Sequence, residues 1–424
     1  MKFYNLRQQT QNVDFATAVK KGLGENQGLF FPKSIFPTTD IERLLELPTK
    51  QRNFEILKPF VNENLSDKQL QDVINNTFEF PTKLVPITDG IHCLELFHGP
   101  TLAFKDFGAK FMANCLKFFS DGEKITILTA TSGDTGAAVA HAFYGIENIE
   151  VVILYPQGKI SELQEKMFTT LGGNIKTVAI DGTFDDCQSL VKQSFDDVKL
   201  VKTIGLNSAN SINISRLLAQ VCYYFDAVAQ LAKDKREEIV LSVPCGNFGN
   251  LTAGIIAKLL GLPIKRFIAT TNSNDTVPRY IQTGKWSPNK TIATLSNAMD
   301  VSQPNNWPRI EFMIESNQFD KSLLQGIAID EDQTKASLLD LKEKNYVSEP
   351  HAAVAYQGLL NSISDNETGI FLGTAHPAKF KGAVEEILKI DVDLPIELKN
   401  CIDKKDLSVH MDNNFGDLKS FLLS

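Results

Sequence analysis

The sequence lacks the features that mark several specialised classes of protein. No apolar run in its 424 residues approaches the roughly 20 residues that span a bilayer, and residues 1–5 lack the apolar core of a signal peptide. The 6 cysteines are scattered without C-x-x-C spacing, and the 6 histidines form no H-E-x-x-H pattern. We therefore expect a cytoplasmic protein with reduced cysteines, no metal site and no membrane partner.

An excess of basic residues is also missing. Lysine and arginine number 43 against 51 aspartates and glutamates, which gives a formal net charge of -8. This balance argues against a nucleic-acid partner, and an anionic substrate would need a local basic site. The remaining composition, with 43% hydrophobic and 22% charged residues, is typical of a soluble globular protein.

Length and residue pattern predict an α/β protein with more than one domain. A chain of this length is long for a single core. Residues 1–85 show helical segments without regular strands, among them one opened by a capping box at Ser66 and Gln69. From residue 86 short apolar runs alternate with helices, which is typical of parallel βαβ units. We expect a mainly helical subdomain over 1–85, α/β domains over 86–205 and 206–424, and an irregular segment over 272–310.

One stretch, His-Gly-Pro-Thr-Leu-Ala-Phe-Lys-Asp-Phe-Gly over 98–108, stands between a predicted strand and a predicted helix. Its lysine, Lys105, lies beside Phe104 and Phe107, and burying an ammonium group is costly. Burial lowers the pKa of a lysine, and a neutral amine can condense with an aldehyde. Taken alone, however, the stretch favours a surface lysine at a helix start.

Two glycine turns follow other predicted strands, at the strand ends where parallel sheets bind ligands. Thr-Ser-Gly-Asp-Thr-Gly over 131–136 offers hydroxyl and backbone N–H groups at a helix N-terminus, which bind anions. Pro-Cys-Gly-Asn-Phe-Gly-Asn over 244–250 could curl its N–H groups around a phosphate. Either turn could instead be an ordinary capped turn without a ligand.

A further loop, Gly-Thr-Ala-His-Pro-Ala-Lys over 373–379, also follows a predicted strand. Thr374 could donate a neutral hydrogen bond to a ring nitrogen. We interpret His376 as a structural hydrogen bonder and Lys379 as a solvated charge at a helix start. A reactive lysine, a phosphate cup, a second anion turn and a hydroxyl together predict a pyridoxal phosphate site.

Four motifs carry a resemblance to a known family. H-G-P-T-L-A-F-K-D, T-S-G-D-T-G, N-S-I-N-I-S-R and P-C-G-N-F-G-N-L-T-A-G occur in this order and resemble those of the threonine synthase family. More broadly, the chain is similar to the tryptophan-synthase-β, or fold type II, group of pyridoxal-phosphate enzymes. The resemblance covers nearly the whole chain, including Gly-Leu-Phe-Phe-Pro over 28–32, and it implies a monomer with the cofactor in a cleft between two βαβ domains.

The resemblance also implies roles for individual residues. Lys105 matches the Schiff-base lysine, and Asp134 stands near the cofactor's ring oxygen, where several related enzymes carry asparagine. The other cofactor-binding residues implied are Gly246, Asn247, Phe248, Gly249, Asn250 and Thr374. The residues implied in substrate binding are Ser132 and Thr135 for the carboxylate, and Asn210, Ser211, Arg216 and, with a weaker match, Lys159 for the phosphate.

The activity that the resemblance implies is the last step of threonine biosynthesis. O-phospho-L-homoserine and water would become L-threonine and phosphate, with Lys105 moving the protons. Two alternatives stay open at this point. One is a related phospho-lyase that releases a 2-oxo acid, and the other is a pyridoxal-phosphate-binding protein without turnover.

Overall fold

Strands of the computed structural model, which describes residues 1–424, form three sheets. The strands are β1 (Phe3–Asn5), β2 (Gln8–Val13), β3 (Phe30–Pro32), β4 (Lys83–Thr88), β5 (Ile91–Glu95), β6 (Ile125–Ala130), β7 (Ile149–Pro156), β8 (Ile175–Asp181), β9 (Leu206–Asn207), β10 (Ile239–Pro244), β11 (Ile264–Thr271), β12 (Leu324–Ala328), β13 (Thr368–Gly373) and β14 (Val409–Asp412).

Helices cover both faces of the larger sheets. They are α1 (Phe15–Lys21), α2 (Ile41–Glu46), α3 (Thr49–Val61), α4 (Asp67–Thr77), α5 (Lys105–Phe119), α6 (Asp134–Phe143), α7 (Glu162–Thr169), α8 (Phe184–Asp196), α9 (Val198–Ile204), α10 (Ile214–Gln230), α11 (Gly249–Leu259), α12 (Thr276–Thr283), α13 (Trp307–Glu315), α14 (Glu331–Glu343), α15 (Pro350–Leu360), α16 (Lys381–Leu388), α17 (Ile396–Ile402) and α18 (Phe415–Leu423). No helix has both the length and the apolarity to cross a bilayer.

The two large sheets are built mostly from parallel strands, as predicted. One has five strands in the order β14-β8-β7-β6-β9, all parallel. The other has six, in the order β12-β11-β10-β13-β5-β4, and only β4 is antiparallel to its neighbour. Every residue of β6, β10 and β13 is buried, which is typical of strands covered on both faces. The α/β fold class is therefore confirmed.

Sheet membership departs from the predicted domain limits in two places. β5 falls within 86–205 but pairs with β13 in the six-stranded sheet. β14 falls within 206–424 but pairs with β8 in the five-stranded sheet. Strand pairing joins segments that are far apart in sequence, so a linear division at 205 does not follow the sheets. The limits remain a prediction for independently folding units.

The N-terminal region is less purely helical than expected. It contains α1–α4, with the predicted capping box at Ser66 and Gln69, but also an antiparallel sheet in the order β2-β1-β3. The sequence hides this sheet because β1 and β3 have only 3 residues each and β2 is polar throughout except at Val13. Gly28 precedes β3, and a Cβ at this position would overlap the Asn5 side chain.

The segment 272–310 is irregular over much of its length but includes α12 and the start of α13. A buried polar network holds it in place. Asn272 Nδ2 donates to Asp300 Oδ1 over 2.9 Å, and Asn274 Nδ2 donates to the Ile292 carbonyl over 3.0 Å. Burial, opposed by hydrogen bonds from Thr294 and Asn272, raises the pKa of Asp300 to about 6.

Two helical glycines provide a matched test of the packing of α15 against the six-stranded sheet. A Cβ on Gly358 would overlap Thr270 Cγ2 of β11, whereas nothing lies within 4 Å of a Cβ on Gly382 in α16. We expect Gly358→Ala to lower the free energy of unfolding by on the order of 1–3 kcal/mol through overpacking. Gly382→Ala should raise it by roughly 0.4–1 kcal/mol, because alanine restricts the unfolded chain. The urea concentration at half-unfolding measures both changes in stability. Equal midpoints for the two variants would contradict the close contact of Gly358 with β11.

Candidate active site

Lys105 is the first residue of α5, directly after the turn that leaves β5. Its side chain is 15% exposed, and its Nζ lies 3.7 Å from Asp134 Oδ2 and 5.9 Å from the centre of the Phe104 ring. Burial lowers the pKa of Lys105, and the positive charges of Lys379 and Arg216 lower it further, against the opposing effect of Asp134. The amine is thus more readily neutral than an ordinary lysine.

The turn before Lys105 is held by a buried carboxylate. Asp106 Oδ2 accepts the Thr101 N–H over 2.9 Å, and Asp106 Oδ1 accepts the Thr101 hydroxyl. A Cβ on Gly99 would collide with Asp106, so the Gly-Pro turn needs this glycine. Burial, opposed by the Thr101 hydrogen bonds, raises the pKa of Asp106 to about 6. These hydrogen bonds fix the turn before α5 and with it the position of Lys105.

The loop after β10 forms a cup of free backbone donors. Phe248 has φ 61° and ψ 9° and caps α11, and the N–H groups of residues 246–251 donate to no other atom of the chain. Such a nest at a helix N-terminus suits a phosphate dianion. The hydroxyls of Tyr223 and Tyr224 each donate to Asn250 Oδ1 over 2.6 Å, while the buried Asn250 Nδ2 has no partner. These unpaired donors fit the phosphate of pyridoxal phosphate.

The turn after β6 offers a second set of free donors. Thr131 Oγ1 accepts the N–H groups of Gly133 over 3.0 Å and Gly136 over 2.7 Å. The N–H groups of Ser132, Asp134 and Thr135 donate to no other atom of the chain. They lie at the N-terminus of α6, where the helix dipole favours an anion. The arrangement suits the carboxylate that the sequence predicted here.

Asp134 faces two lysines. Its Oδ1 forms an ion pair with Lys379 Nζ at 2.6 Å and accepts from Gln164 Nε2 at 3.2 Å, while its Oδ2 faces Lys105. Burial alone would raise the pKa of Asp134, but the charges of Lys379 and Lys105 hold it well below its usual range. The carboxylate is therefore ionised within a cluster that carries more positive than negative charge.

Lys379 was expected to be a solvated charge, and that prediction is wrong. Its side chain is 0% exposed, because the short 3₁₀ helix Pro377–Phe380 directs it into the site. Nζ also donates to the Thr101 carbonyl over 2.8 Å. His376 behaves as predicted, since its Nδ1 accepts the Ala378 N–H over 3.1 Å.

Thr374 follows β13, and its position next to Lys105 is fixed by the backbone. Its carbonyl accepts the Phe104 N–H over 2.9 Å, and Ala375 forms a bridge with Ala103. Thr374 itself is buried. Because β10, β13 and β5 are adjacent in one sheet, the phosphate cup, Thr374 and the Lys105 turn emerge side by side. The structure thus brings together the predicted cofactor-binding residues.

Arg216 lies on the buried helix α10, and part of its guanidinium has no hydrogen-bond partner. It is 2% exposed, its Nη1 donates to the Ala209 carbonyl, and its Nε has no partner. No carboxylate forms an ion pair with it, and burial, slightly opposed by Asp106, lowers the pKa of Arg216 to about 10. A buried guanidinium with unpaired donors suits a phosphate ligand.

The other predicted phosphate-binding residues divide into two groups. Asn210 accepts the Thr129 hydroxyl over 2.6 Å, and Ser211 Cβ would lie 3.9 Å from a Cβ on Gly249. Both residues therefore belong to the neighbourhood of the site. Lys159 is exposed, and its side chain makes no hydrogen bond or ion pair, so its role remains a prediction.

Two residues that organise these loops, Arg309 and Asn306, were not expected from the sequence. Arg309 is 0% exposed and donates to the carbonyls of Phe30 over 2.8 Å and Ile212 over 2.7 Å, and to the side chain of Asn306. The Asn306 N–H in turn donates to the Asn247 carbonyl over 3.1 Å. These contacts join the N-terminal strand β3 to both phosphate loops. No local pattern around Arg309 signals this role.

A cleft of 1640 Å³ leads from solvent to the loops that carry Asn210 and Asn247. Its walls come from the N-terminal region, from α8 and the loops near it, and from residues 286–311. Basic side chains along these walls outnumber acidic ones, which provides the local positive charge that an acidic protein needs for an anionic substrate. The basic residues are Arg7, Lys20, Lys21, Lys124, Lys192, Lys202 and Lys290.

Comparison with known proteins agrees with this geometry. A family model described as pyridoxal-phosphate dependent enzyme matches residues 77–371, and models for the threonine synthase N terminus and C-terminal region match residues 2–78 and 352–422. Threonine synthase from Haemophilus influenzae is 58% identical over 100% of both chains, and that from Escherichia coli is 56% identical over the same share.

Solved structures give the same result. The crystal structure of threonine synthase from Escherichia coli matches with a TM-score of 0.96 at 56% identity, over 100% of this chain and 99% of that one. The structure of threonine synthase with bound pyridoxal phosphate from Brucella melitensis matches with a TM-score of 0.93 at 30% identity, over 100% and 98%. The chain belongs to the threonine synthase family of pyridoxal-phosphate-dependent enzymes.

Proposed function

We propose that this protein converts O-phospho-L-homoserine and water into L-threonine and phosphate. The observation that carries the proposal is the position of Lys105 among three sets of unpaired donors: the cup over 246–251, the turn over 132–135 and the guanidinium of Arg216. The substrate carries a carboxylate and a phosphate, and the cofactor carries a second phosphate. The free donors match these three anionic groups in number and kind.

The cofactor would be held by Lys105, by the N–H groups of Gly246–Asn250 and by the hydroxyl of Thr374. When bound, pyridoxal phosphate supplies a ring that stores the electrons released as C–H bonds next to the substrate amine break. Thr374 is a neutral partner for the ring nitrogen. The free N–H groups and the dipole of α11 hold the phosphate without a lysine or arginine in the cup.

Lys105 would move the protons. Its largely buried amine, with a lowered pKa, can accept a proton from the α-carbon and release it, and can then carry a proton from the β-carbon to the γ-carbon. The proton lost from the α-carbon is restored when water adds across the α- and β-carbons. The free N–H groups of Ser132 and Thr135 would hold the substrate carboxylate and so orient these carbons toward Nζ. This binding places the reacting atoms before any bond changes.

Arg216, Asn210 and Ser211 would bind the substrate phosphate. Negative charge grows on the bridging oxygen as phosphate leaves the γ-carbon, and preorganised donors stabilise that charge. Water then adds at the β-carbon to give threonine. The competing outcome is release of a 2-oxo acid before water adds, and full-length identity of 56–58% with threonine synthases supports the synthase outcome.

We also propose that the protein is a monomer, as its resemblance to the longer threonine synthases implies. Light scattering of the purified protein tests this proposal, and a mass twice that of the 47.1 kDa chain would contradict it. A cytoplasmic location remains our prediction from the sequence.

The first functional test concerns Lys105. The protein loaded with pyridoxal phosphate should absorb in the visible, turn over O-phospho-L-homoserine to L-threonine, and become labelled at Lys105 on borohydride reduction. Lys105→Ala should abolish all three results. Lys110→Ala on the same helix is the matched control, because Lys110 pairs with Glu79 outside the site. Detection of 2-oxobutyrate as the main product would favour the phospho-lyase instead.

The second test concerns Arg216. Arg216→Leu removes the guanidinium, and Arg216→Lys keeps a charge but not the two parallel hydrogen bonds of the fork. Losing a charge-assisted bond of this kind costs on the order of 2–4 kcal/mol, or roughly thirty- to a thousandfold in kcat/KM. The visible band should persist in both variants. Unchanged kcat/KM, or loss of the band, would assign Arg216 to another role.

A further inference from the structure

Lys379 connects three loops of the site. Its Nζ lies 2.6 Å from Asp134 Oδ1 and donates to the Thr101 carbonyl over 2.8 Å. Asp134 opens α6, Thr101 belongs to the Lys105 turn, and Lys379 itself follows Thr374. The buried ammonium group of Lys379 therefore links loops that belong to the two large sheets.

Two lysines compete for one carboxylate at this point. Lys379 Nζ lies 2.6 Å from Asp134 Oδ1 in an ion pair, whereas Lys105 Nζ is 3.7 Å from Asp134 Oδ2, beyond hydrogen-bonding distance. A carboxylate already paired with one ammonium attracts a second one less, and the two like charges repel each other. Lys379 thus takes the partner that would otherwise hold Lys105 as an ammonium ion.

The remaining charged groups near Lys105 do not replace this effect. Arg216 of α10 adds positive charge near Lys105, and His351 of α15 acts on Asp134. Asp106 acts on Arg216 rather than on Lys105. Asp134 is the carboxylate whose charge favours the ammonium form of Lys105. A group that pairs with Asp134 therefore changes the pKa of Lys105.

We propose that Lys379 is a positioning residue whose ammonium takes the shorter ion pair with Asp134 and leaves Lys105 with the longer one, so that the Lys105 amine stays available to attack an aldehyde. In that step the neutral amine adds to the carbonyl carbon, and the carbonyl oxygen leaves as water. The inference rests on the role proposed for Lys105.

The test follows capture of pyridoxal phosphate by the cofactor-free protein, measured as growth of the visible band between pH 6 and pH 9. In Lys379→Gln the amide can still donate to Thr101, but the charge is lost and Asp134 is free to pair with Lys105. We expect the midpoint of the rate profile to rise by about one pH unit or more, and capture at pH 7 to slow about tenfold. Lys381→Gln is the matched control, because Lys381 pairs with Glu385 and Asp391 outside the site.

A double variant separates charge from packing. Asp134→Asn combined with Lys379→Gln removes both members of the pair, so the midpoint should return toward that of the unchanged protein. An unshifted midpoint in Lys379→Gln, or a double variant as slow as the single one, would overturn the proposal.

Two further variants keep the result interpretable. Lys379→Met, which also lacks the charge, should reproduce the shift if the glutamine variant fails to fold, and absence of the shift there would again overturn the proposal. A visible band in Lys105→Ala would instead refute the role of Lys105 and leave the two failures distinguishable.

Discussion

The balance of charge at Asp134 is the constraint on which the site depends. This single carboxylate, 5% exposed, faces the Nζ atoms of Lys379 and Lys105. An isolated buried charge is costly, so each of the three groups requires the others to be in place. Because they come from α5, α6 and the 3₁₀ helix after β13, the ion cluster also determines how the two large sheets meet.

Strand pairing in the sheets fixes the positions of the loops that carry this cluster. β10, β13 and β5 are neighbours in the six-stranded sheet, and the three loops that leave their carboxyl ends are tied by backbone hydrogen bonds, such as that from the Phe104 N–H to the Thr374 carbonyl. α10 is buried over 15 consecutive residues from Ile214 to Val228 and packs against α5 and α11. A helix buried on all sides fixes Arg216 and the tyrosine pair beneath the cup.

A second buried cation organises the phosphate loops. Arg309 has no carboxylate partner and uses its donors on the carbonyls of Phe30 and Ile212 and on Asn306. Burial lowers the pKa of Arg309 to about 9, and its positive charge stands close to the loops that we propose bind phosphate. The N-terminal strand β3 thereby becomes part of the support of the site, although it contributes no side chain to it.

Local sequence determined much of this protein. Short-range backbone preferences are visible in residue types a few positions apart. The sequence therefore predicted the strand–helix alternation, the capping box of α4, the glycine turns after β6 and β10, and the Lys105 turn. The tertiary structure alone decided which strands pair, the burial of Lys379 and the partners of Arg309. These depend on contacts between segments up to 279 residues apart, and a lysine or arginine has the same local sequence signature whether its charge meets water or a buried carboxylate.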